Sequence, residues 1–170
     1  SDVYKRQLWE LHCQRCGGII GDEMGLGKTI QVAAFLAGLH YSGLYTPSLI
    51  VCPATMLRQW ERELTTWYPQ FNVHILHDSG MAGEVAPGGG AEARKNARAR
   101  VVNRAAHAPC GVLITTYEHL RLYTSGLCGV RWGYAVLDEG HKIRNPDAEV
   151  TIAAKQLQVS FPFSTSQPML

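Results

Sequence analysis

Long apolar runs are missing from this sequence. No uninterrupted hydrophobic stretch in the 170 residues approaches the roughly 20 residues that a helix needs to cross a bilayer. The first residues, SDVYKRQLWE, also lack the apolar core of a signal peptide. We therefore expect an intracellular, soluble protein with no membrane partner.

An excess of charge of one sign is missing as well. Sixteen Lys and Arg stand against fourteen Asp and Glu, a formal net charge of +2. Overall charge therefore does not require a nucleic-acid partner, and such a partner has to be argued from local sites. With 46% hydrophobic and 18% charged residues, the chain has the composition of one globular domain with a real core.

Regular cysteine spacing is the third absence. The five cysteines are Cys13, Cys16, Cys52, Cys110 and Cys128. An odd number at irregular spacing argues against a disulfide framework, so we expect reduced thiols. Cys13 and Cys16 form a Cys-x-x-Cys, but no second cysteine or histidine pair follows at zinc-like spacing, and we interpret the pair as structural.

What is present is a series of short apolar segments rich in β-branched residues. They are GGII at 17–20, SLIVC at 48–52, NVHIL at 72–76, GVLITT at 111–116 and GYAVL at 133–137. They are continuously apolar rather than alternating, which is typical of strands buried on both faces of a parallel sheet. Helical patterns lie between them, so the sequence predicts an α/β fold with helices on both faces of the sheet.

Two segments carry apolar residues at helical spacing. In the first they are Ile30, Ala33, Ala34 and Ala37. In the second they are Leu57, Trp60, Leu64 and Trp67. Charged residues of the second segment fall mostly on the other side, so we expect an amphipathic helix whose two tryptophans pack in the core.

Residues 79–109 interrupt this rhythm. A glycine- and proline-rich half is followed by an alanine- and arginine-rich half, which predicts a flexible surface insertion leading into a basic helix. Its basic residues are Arg94, Lys95, Arg98, Arg100 and Arg104. Such a face can lie on a phosphate backbone, but a solvated helix on a variable insertion is the favoured interpretation.

The stretch GIIGDEMGLGKTIQ, 18–31, has the parts of a phosphate-binding loop. Gly25 and Gly27 can take the backbone angles of such a loop, Lys28 can reach the phosphates, and Thr29 can hold Mg²⁺ at the start of a helix. Asp22 stands where the general pattern has its first glycine. The predicted nucleotide-binding residues are Asp22, Glu23, Met24, Gly25, Leu26, Gly27, Lys28 and Thr29.

A second motif, YAVLDEGH at 134–141, ends an apolar strand in two acids. A nucleoside triphosphatase needs an acid at the tip of a neighbouring strand for the magnesium shell, and often a second acid to position the attacking water. Asp138 suits the first role and Glu139 the second. The two motifs together predict catalytic roles for Lys28, Asp138 and Glu139, and Mg²⁺ binding by Thr29 and Asp138.

Four stretches resemble motifs of the Swi/Snf-type DNA-translocating ATPases. They are GDEMGLGKTIQ, LIVCPATMLRQWERE, VLITTYEHLR and VLDEGHKIRNP. In that family the nucleotide loop reads Asp-Glu-x-Gly-x-Gly-Lys-Thr, so Asp22 is the family's own residue. The resemblance covers about residues 8 to 157. The glycine at position 140 adds a particular resemblance to the transcription-coupled repair branch of the family.

The resemblance implies a first RecA-like, P-loop helicase lobe over 1–157, one that binds ATP and Mg²⁺. It places Arg58, Thr115, Thr116 and Tyr117 near the backbone of double-stranded DNA. It has His141 couple the nucleotide site to the DNA or the second lobe, with capping of a helix start almost equally favoured for this residue. It also implies chromatin remodelling or transcription-coupled repair, chromatin or RNA polymerase II as partner, and a nuclear location. For Arg58, Lys142 and Arg144, phosphate contact and plain solvation are equally favoured.

The sequence departs from the family in three places. SDVYKRQ does not match the upstream segment whose glutamine reads adenine, and Gln7 is out of register. Residues 158–170 do not match the next strand, so we expect a disordered tail, an incomplete sheet and exposed apolar surface. The second lobe, which carries the arginine fingers, is absent, so we expect the isolated chain to bind ATP but hardly hydrolyse it.

Two other interpretations stay open. One is a nucleotide-responsive interaction module that binds ATP and a partner without turnover, and the other is a non-functional truncated product. A small-molecule kinase is disfavoured, because nothing in the sequence resembles a lid or an acceptor site.

Overall fold

The computed structural model describes residues 2–15, 18–20, 27–78, 89–143 and 145–165. Their helices and strands alternate along the chain, except that two short helices follow one another before the fifth strand. The helices are α1 Asp2–Cys13, α2 Lys28–Tyr41, α3 Leu57–Trp67, α4 Ala91–His107, α5 Tyr117–Leu122, α6 Thr124–Cys128 and α7 Glu149–Gln156. The strands are β1 Gly18–Ile20, β2 Ser48–Cys52, β3 Asn72–Leu76, β4 Gly111–Thr116, β5 Trp132–Asp138 and β6 Val159–Thr165. Short 3₁₀ helices span Ala54–Met56 and Gly140–Ile143.

The six strands form one parallel sheet in the order β1-β6-β5-β2-β4-β3. Every apolar segment that the sequence singled out is a strand of this sheet. Strands β2 and β4 are buried along their whole length, because helices cover both faces. The predicted α/β class with a parallel sheet is therefore confirmed.

Alternate strand residues enter two separate cores. Ile50 and Cys52 of β2 face a core shared with α1, α2 and α3, whereas Leu49 and Val51 face one shared with α4, α5 and α7. This two-sided burial explains why the segments are continuously apolar, since neither strand face meets water. No helix among the described residues is both long and apolar enough to span a membrane.

The helical faces follow the sequence only in part. In α3, Leu57, Trp60 and Leu64 are buried as expected, but Trp67 is 55% exposed, so its predicted core position is wrong. In α2, Ile30 is 36% exposed. The apolar residues that α2 buries are Val32, Ala33, Phe35, Leu36 and Leu39.

The segment predicted as a basic surface insertion contains a helix that belongs to the core. Helix α4 packs on β3 and β4 through small or β-branched side chains, which are Ala97, Val101, Val102 and Ala105. Its basic residues lie mainly on the outer side. Residues 91–107 are thus part of the second helical layer, while residues 79–88 lie outside the described part of the chain.

The prediction of a disordered tail over 158–170 is wrong for 159–165. Strand β6 pairs with β5 from Trp132↔Val159 to Asp138↔Thr165 and with β1 from Gly18↔Phe163 to Ile20↔Thr165. The expected gap in the sheet is therefore filled. Pro162 lies opposite Ala135 in this strand, where it has no N–H to donate to the ladder. Residues 166–170 lie outside the described residues.

Candidate functional site

The two motifs meet at the carboxyl edge of the sheet. Ile20, the last residue of β1, and Asp138, the last residue of β5, are both paired with Thr165 of β6. One strand therefore separates them, a spacing of roughly 10 Å from two inter-strand distances. In open parallel sheets this edge is where ligands bind.

The chain enters helix α2 through a glycine that the geometry requires. Gly27 has φ 77° and ψ 34°, in the left-handed region, and caps the helix that begins at Lys28. Glycine takes this conformation without the steric cost of a Cβ. No acidic residue lies in the first turn, so the positive end of the helix dipole is not neutralised from within the helix.

Lys28 and Thr29 are half-buried at this helix start. The structure thus places both of them in the first turn of a helix that follows strand β1 in the chain, as a phosphate-binding loop requires. The preceding predicted residues, Asp22, Glu23, Met24, Gly25 and Leu26, lie outside the described part of the chain.

Asp138 is held by contacts from both faces of the sheet. On the α3 side, the Trp60 Nε1–H donates to Asp138 Oδ2 at 2.9 Å. On the other side, the Tyr117 hydroxyl donates to the Asp138 carbonyl oxygen at 2.6 Å. The backbone N–H of Glu139 donates to Asp138 Oδ1 at 3.1 Å. Main chain and carboxylate are therefore both fixed.

Glu139 leaves the strand in a conformation unusual for its residue type. Its φ is 53°, and the 3₁₀ helix Gly140–Ile143 follows at once. A left-handed conformation is costly for a residue with a Cβ, and such residues are concentrated at functional sites. At Glu139 the backbone therefore turns away from the direction of the strand that ends at Asp138.

Two further titratable groups near this edge are kept neutral. Burial raises the pKa of the Cys52 thiol to about 12, and the carboxylates of Asp138 and Glu139 act in the same direction. Burial also raises the pKa of Tyr117, with Asp138 the next cause. Cys52 is therefore not a nucleophile here, and Tyr117 remains a hydrogen-bond donor.

The oxygen ligands at this site suit a Mg²⁺ ion that is bound together with a nucleotide rather than one enclosed by protein side chains. Thr29 and Asp138 offer a hydroxyl and a carboxylate oxygen, the hard ligands that Mg²⁺ prefers. Among the described residues no three His, Cys, Asp or Glu side chains cluster as a metal site. Mg²⁺ commonly uses one or two protein oxygens and completes its shell with water and phosphate, so these residues fit the ion.

The candidate DNA-contact residues divide into two groups. The Arg58 side chain is 67% exposed and pairs with Glu61 at 2.8 Å. Thr115, Thr116 and Tyr117 are buried and already hydrogen-bonded: Thr115 to the Leu76 carbonyl, Thr116 as the cap of α5, and Tyr117 to Asp138. In this conformation only Arg58 of the four presents its side chain to a large ligand.

Residues after the acidic pair are also exposed. His141 and Lys142 lie in the 3₁₀ helix with accessible side chains, and Arg144 lies outside the described residues.

The sequence did not reveal the contacts of Trp60 and Tyr117 with Asp138. A signal for them exists, because a buried indole N–H or phenol O–H needs a partner, but the partner cannot be read from the sequence.

Comparison with known proteins gives the chain a family. A family model described as the SNF2-related domain matches residues 6–161. The DNA excision repair protein CSB of Oryza sativa subsp. japonica is 50% identical over 169 residues, covering 89% of this chain and 14% of that protein. Human DNA excision repair protein ERCC-6 is 46% identical over 164 residues, covering 90% of this chain and 10% of that protein.

A solved structure agrees with the fold. The chain superposes on the Sulfolobus solfataricus SWI2/SNF2 ATPase core in complex with dsDNA with a TM-score of 0.75 and 24% identity, over 99% of this chain and 31% of that one. The RecA-like lobe architecture is thereby confirmed. The chain spans 10% to 14% of the length of the two curated relatives. Because the family model matches nearly all of it, the chain belongs to the SNF2-related domain family.

Proposed function

We propose that this chain is the ATP-binding first lobe of a DNA-dependent ATPase that moves on double-stranded DNA. The observation that carries the proposal is the shared register at Thr165, which sets Ile20, the last residue of β1, one strand away from Asp138. This spacing supports a site in which the phosphate-loop sequence after β1 and the acids at the end of β5 act on one nucleotide.

Each residue has a distinct role in the proposed site. Lys28 and the start of α2 bind the phosphates, and Asp22 to Leu26 complete the loop by resemblance to the family. Thr29 and Asp138 hold Mg²⁺, which neutralises charge that develops on the phosphates. Glu139 orients the attacking water and accepts its proton, and its left-handed backbone turns it out of the strand line.

Double-stranded DNA is the proposed second ligand. A relative of this fold was solved as an ATPase core with dsDNA, and Arg58 is exposed on α3, beyond the carboxyl end of β2. A cation at that position contacts phosphate and carries no sequence information. Chromatin or RNA polymerase II as partner, and action in the nucleus, follow from the resemblance to repair and remodelling proteins.

Turnover by the isolated chain is expected to be slight. In the family the arginine fingers belong to a second lobe, and the chain spans 10% to 14% of the two relatives described above. A finger contributes about 10³ to 10⁵ in rate in related phosphoryl-transfer enzymes. We therefore test binding first.

The test is a calorimetric titration of MgATP into the chain and into Lys28→Ala, without DNA. We expect saturable binding by the wild type and its loss in the variant. Lys155→Ala, an exposed lysine in the last turn of α7, is the matched control and should bind as the wild type does. Equal binding by Lys28→Ala and the wild type would contradict the proposed phosphate site.

A further inference from the structure

A buried tryptophan holds the acidic residue proposed for the magnesium shell. Trp60 lies in the middle of α3 and is 1% exposed. Its Nε1–H donates to Asp138 Oδ2 at 2.9 Å, across 78 residues of sequence. Indole has one donor and no acceptor, so this contact satisfies its whole hydrogen-bonding capacity.

The contact fixes the orientation of the Asp138 carboxylate as well as its distance from the indole nitrogen. Glu139 N–H binds Asp138 Oδ1 while Trp60 binds Oδ2, so rotation of the carboxylate breaks at least one bond to a charged acceptor. Such bonds are stronger than those between neutral groups. The Trp60 ring cannot follow such a rotation, because it packs in the core with residues of α2 and β2.

We propose that Trp60 is a positioning residue for Asp138, whose indole N–H holds the carboxylate in the orientation that the magnesium shell of a bound nucleotide requires. This inference rests on the proposed function. It predicts that Trp60 affects the affinity for ATP with Mg²⁺ more than the affinity for ATP without metal. A purely structural residue affects binding with and without metal alike.

The chain supplies its own control in the same helix. Trp67 also donates its Nε1–H to a carboxylate, Glu63 Oε2, at 2.9 Å. It is 55% exposed and makes this bond within α3 rather than across to β5. Trp60→Phe and Trp67→Phe therefore remove the same donor from the same helix, once at the proposed site and once on the surface.

The experiment measures nucleotide affinity of the 170-residue chain by calorimetry, with ATP in excess Mg²⁺ and with ATP in EDTA. For Trp60→Phe we expect MgATP to bind about tenfold more weakly, as loss of one hydrogen bond to a charged group implies. Affinity for ATP in EDTA should change by less than about twofold, as for a substitution that makes no contact with the ligand. Trp67→Phe should leave both affinities unchanged.

The outcomes separate this inference from the function on which it rests. Suppose that the wild type binds both forms. If Trp60→Phe then keeps the wild-type affinities, or loses affinity equally in Mg²⁺ and in EDTA, the positioning role alone is overturned. A wild type that binds neither form contradicts the proposed function, and the positioning role with it. If Trp60→Phe fails to fold, the measurement is made with benzothienylalanine at position 60, which keeps the fused ring and replaces N–H by sulfur.

Discussion

Glu139 combines a proposed chemical role with a conformation that its side chain disfavours. Its φ of 53° costs a residue with a Cβ about 1 kcal/mol or more relative to glycine. Neither Asp138 nor Gly140 has a positive φ. The strain is thus confined to the residue that turns from the strand into the 3₁₀ helix.

This strain predicts an order of stability for two variants at one position. Glu139→Gly should be more stable than Glu139→Ala by about 1 kcal/mol, because both lack the carboxylate and only alanine keeps the strained Cβ. Urea unfolding followed by circular dichroism measures the difference. Equal free energies of unfolding for the two variants would show that position 139 is not held in the left-handed region.

A buried histidine predicts how stability depends on pH. His119 is 4% exposed, its Nδ1 lies 3.1 Å from Thr116 Oγ1, and its Nε2 lies 3.5 Å from Asp78. Burial lowers its pKa below 6.5, opposed by Asp78 and supported by His77 and Arg98. As pH falls below 6.5, the unfolded chain therefore takes up a proton before the folded one does.

The stability associated with neutral His119 is present above pH 6.5 and is lost as pH falls toward the folded pKa. This group changes the free energy of unfolding by at most roughly 1.4 kcal/mol per pH unit. Thermal unfolding between pH 7.5 and 5 should show a smaller loss of Tm in His119→Gln than in the wild type. Replacement of the exposed His107 by Gln is the control and should lose as much Tm as the wild type. If His119→Gln also loses as much Tm as the wild type, the pH dependence assigned to His119 is wrong.

At the scale of elements, α4 shows how a helix rich in arginine belongs to a core. Its buried side is made of alanine and valine, so the arginine content of the whole segment hid the narrow apolar stripe. The helix also ends very close to the strand that follows. A Cβ added at Gly111, the first residue of β4, would lie 1.9 Å from the Ala105 carbonyl oxygen.

Gly111→Ala should therefore destabilise the protein by about 2 to 3 kcal/mol, because a backbone atom of α4 has to move. Gly129→Ala is the matched control. A Cβ there meets its nearest atom at an ordinary 3.5 Å, and its φ of −72° suits alanine. Chemical denaturation compares the two, and a Gly111→Ala as stable as Gly129→Ala would mean that α4 does not approach β4 this closely.

At the scale of the whole molecule, β6 joins the two halves of the proposed site. Among the described strands, β1 pairs with β6 alone, and β6 in turn pairs with β5. The position of β1, which precedes the phosphate-loop sequence, relative to Asp138 thus depends on residues 159–165. Pairing across such a sequence separation is invisible to any local pattern.

Removal of residues 159–170 should abolish cooperative thermal unfolding or lower Tm strongly, because β1 loses its pairing partner and β5 becomes an edge. Removal of 166–170 alone keeps every described strand pair and should leave Tm unchanged. Calorimetry of both truncations and the full chain makes the comparison. A cooperative transition at the wild-type Tm after removal of 159–170 would contradict the pairing of β6.

Much of the fold was predictable because its signals are local. Continuous apolar segments mark β2, β4 and β5, since strands covered on both faces need no polar side. The loop glycines, Lys28 and the two acids at the end of β5 indicate their chemistry through residue type and order. Trp67 was mispredicted, because helical spacing does not say where a core ends. Strand β6 was mispredicted, because a mismatch with the family's sequence over 158–170 does not decide whether the segment can pair with neighbouring strands.

The sequence by itself determined the α/β class, the phosphate-loop and acidic motifs, and the family resemblance, because each depends on residues close together in the chain. Tertiary structure alone decided that β6 lies between β1 and β5, that α4 enters the core, and that Trp60 and Tyr117 hold Asp138. The hydrogen bonds to Asp138 and the pairings of β6 join residues 21 to 145 positions apart, as between Tyr117 and Asp138 or Gly18 and Phe163. They form only when the whole sheet assembles, because each partner is chosen by packing and backbone pairing rather than by its neighbours in sequence.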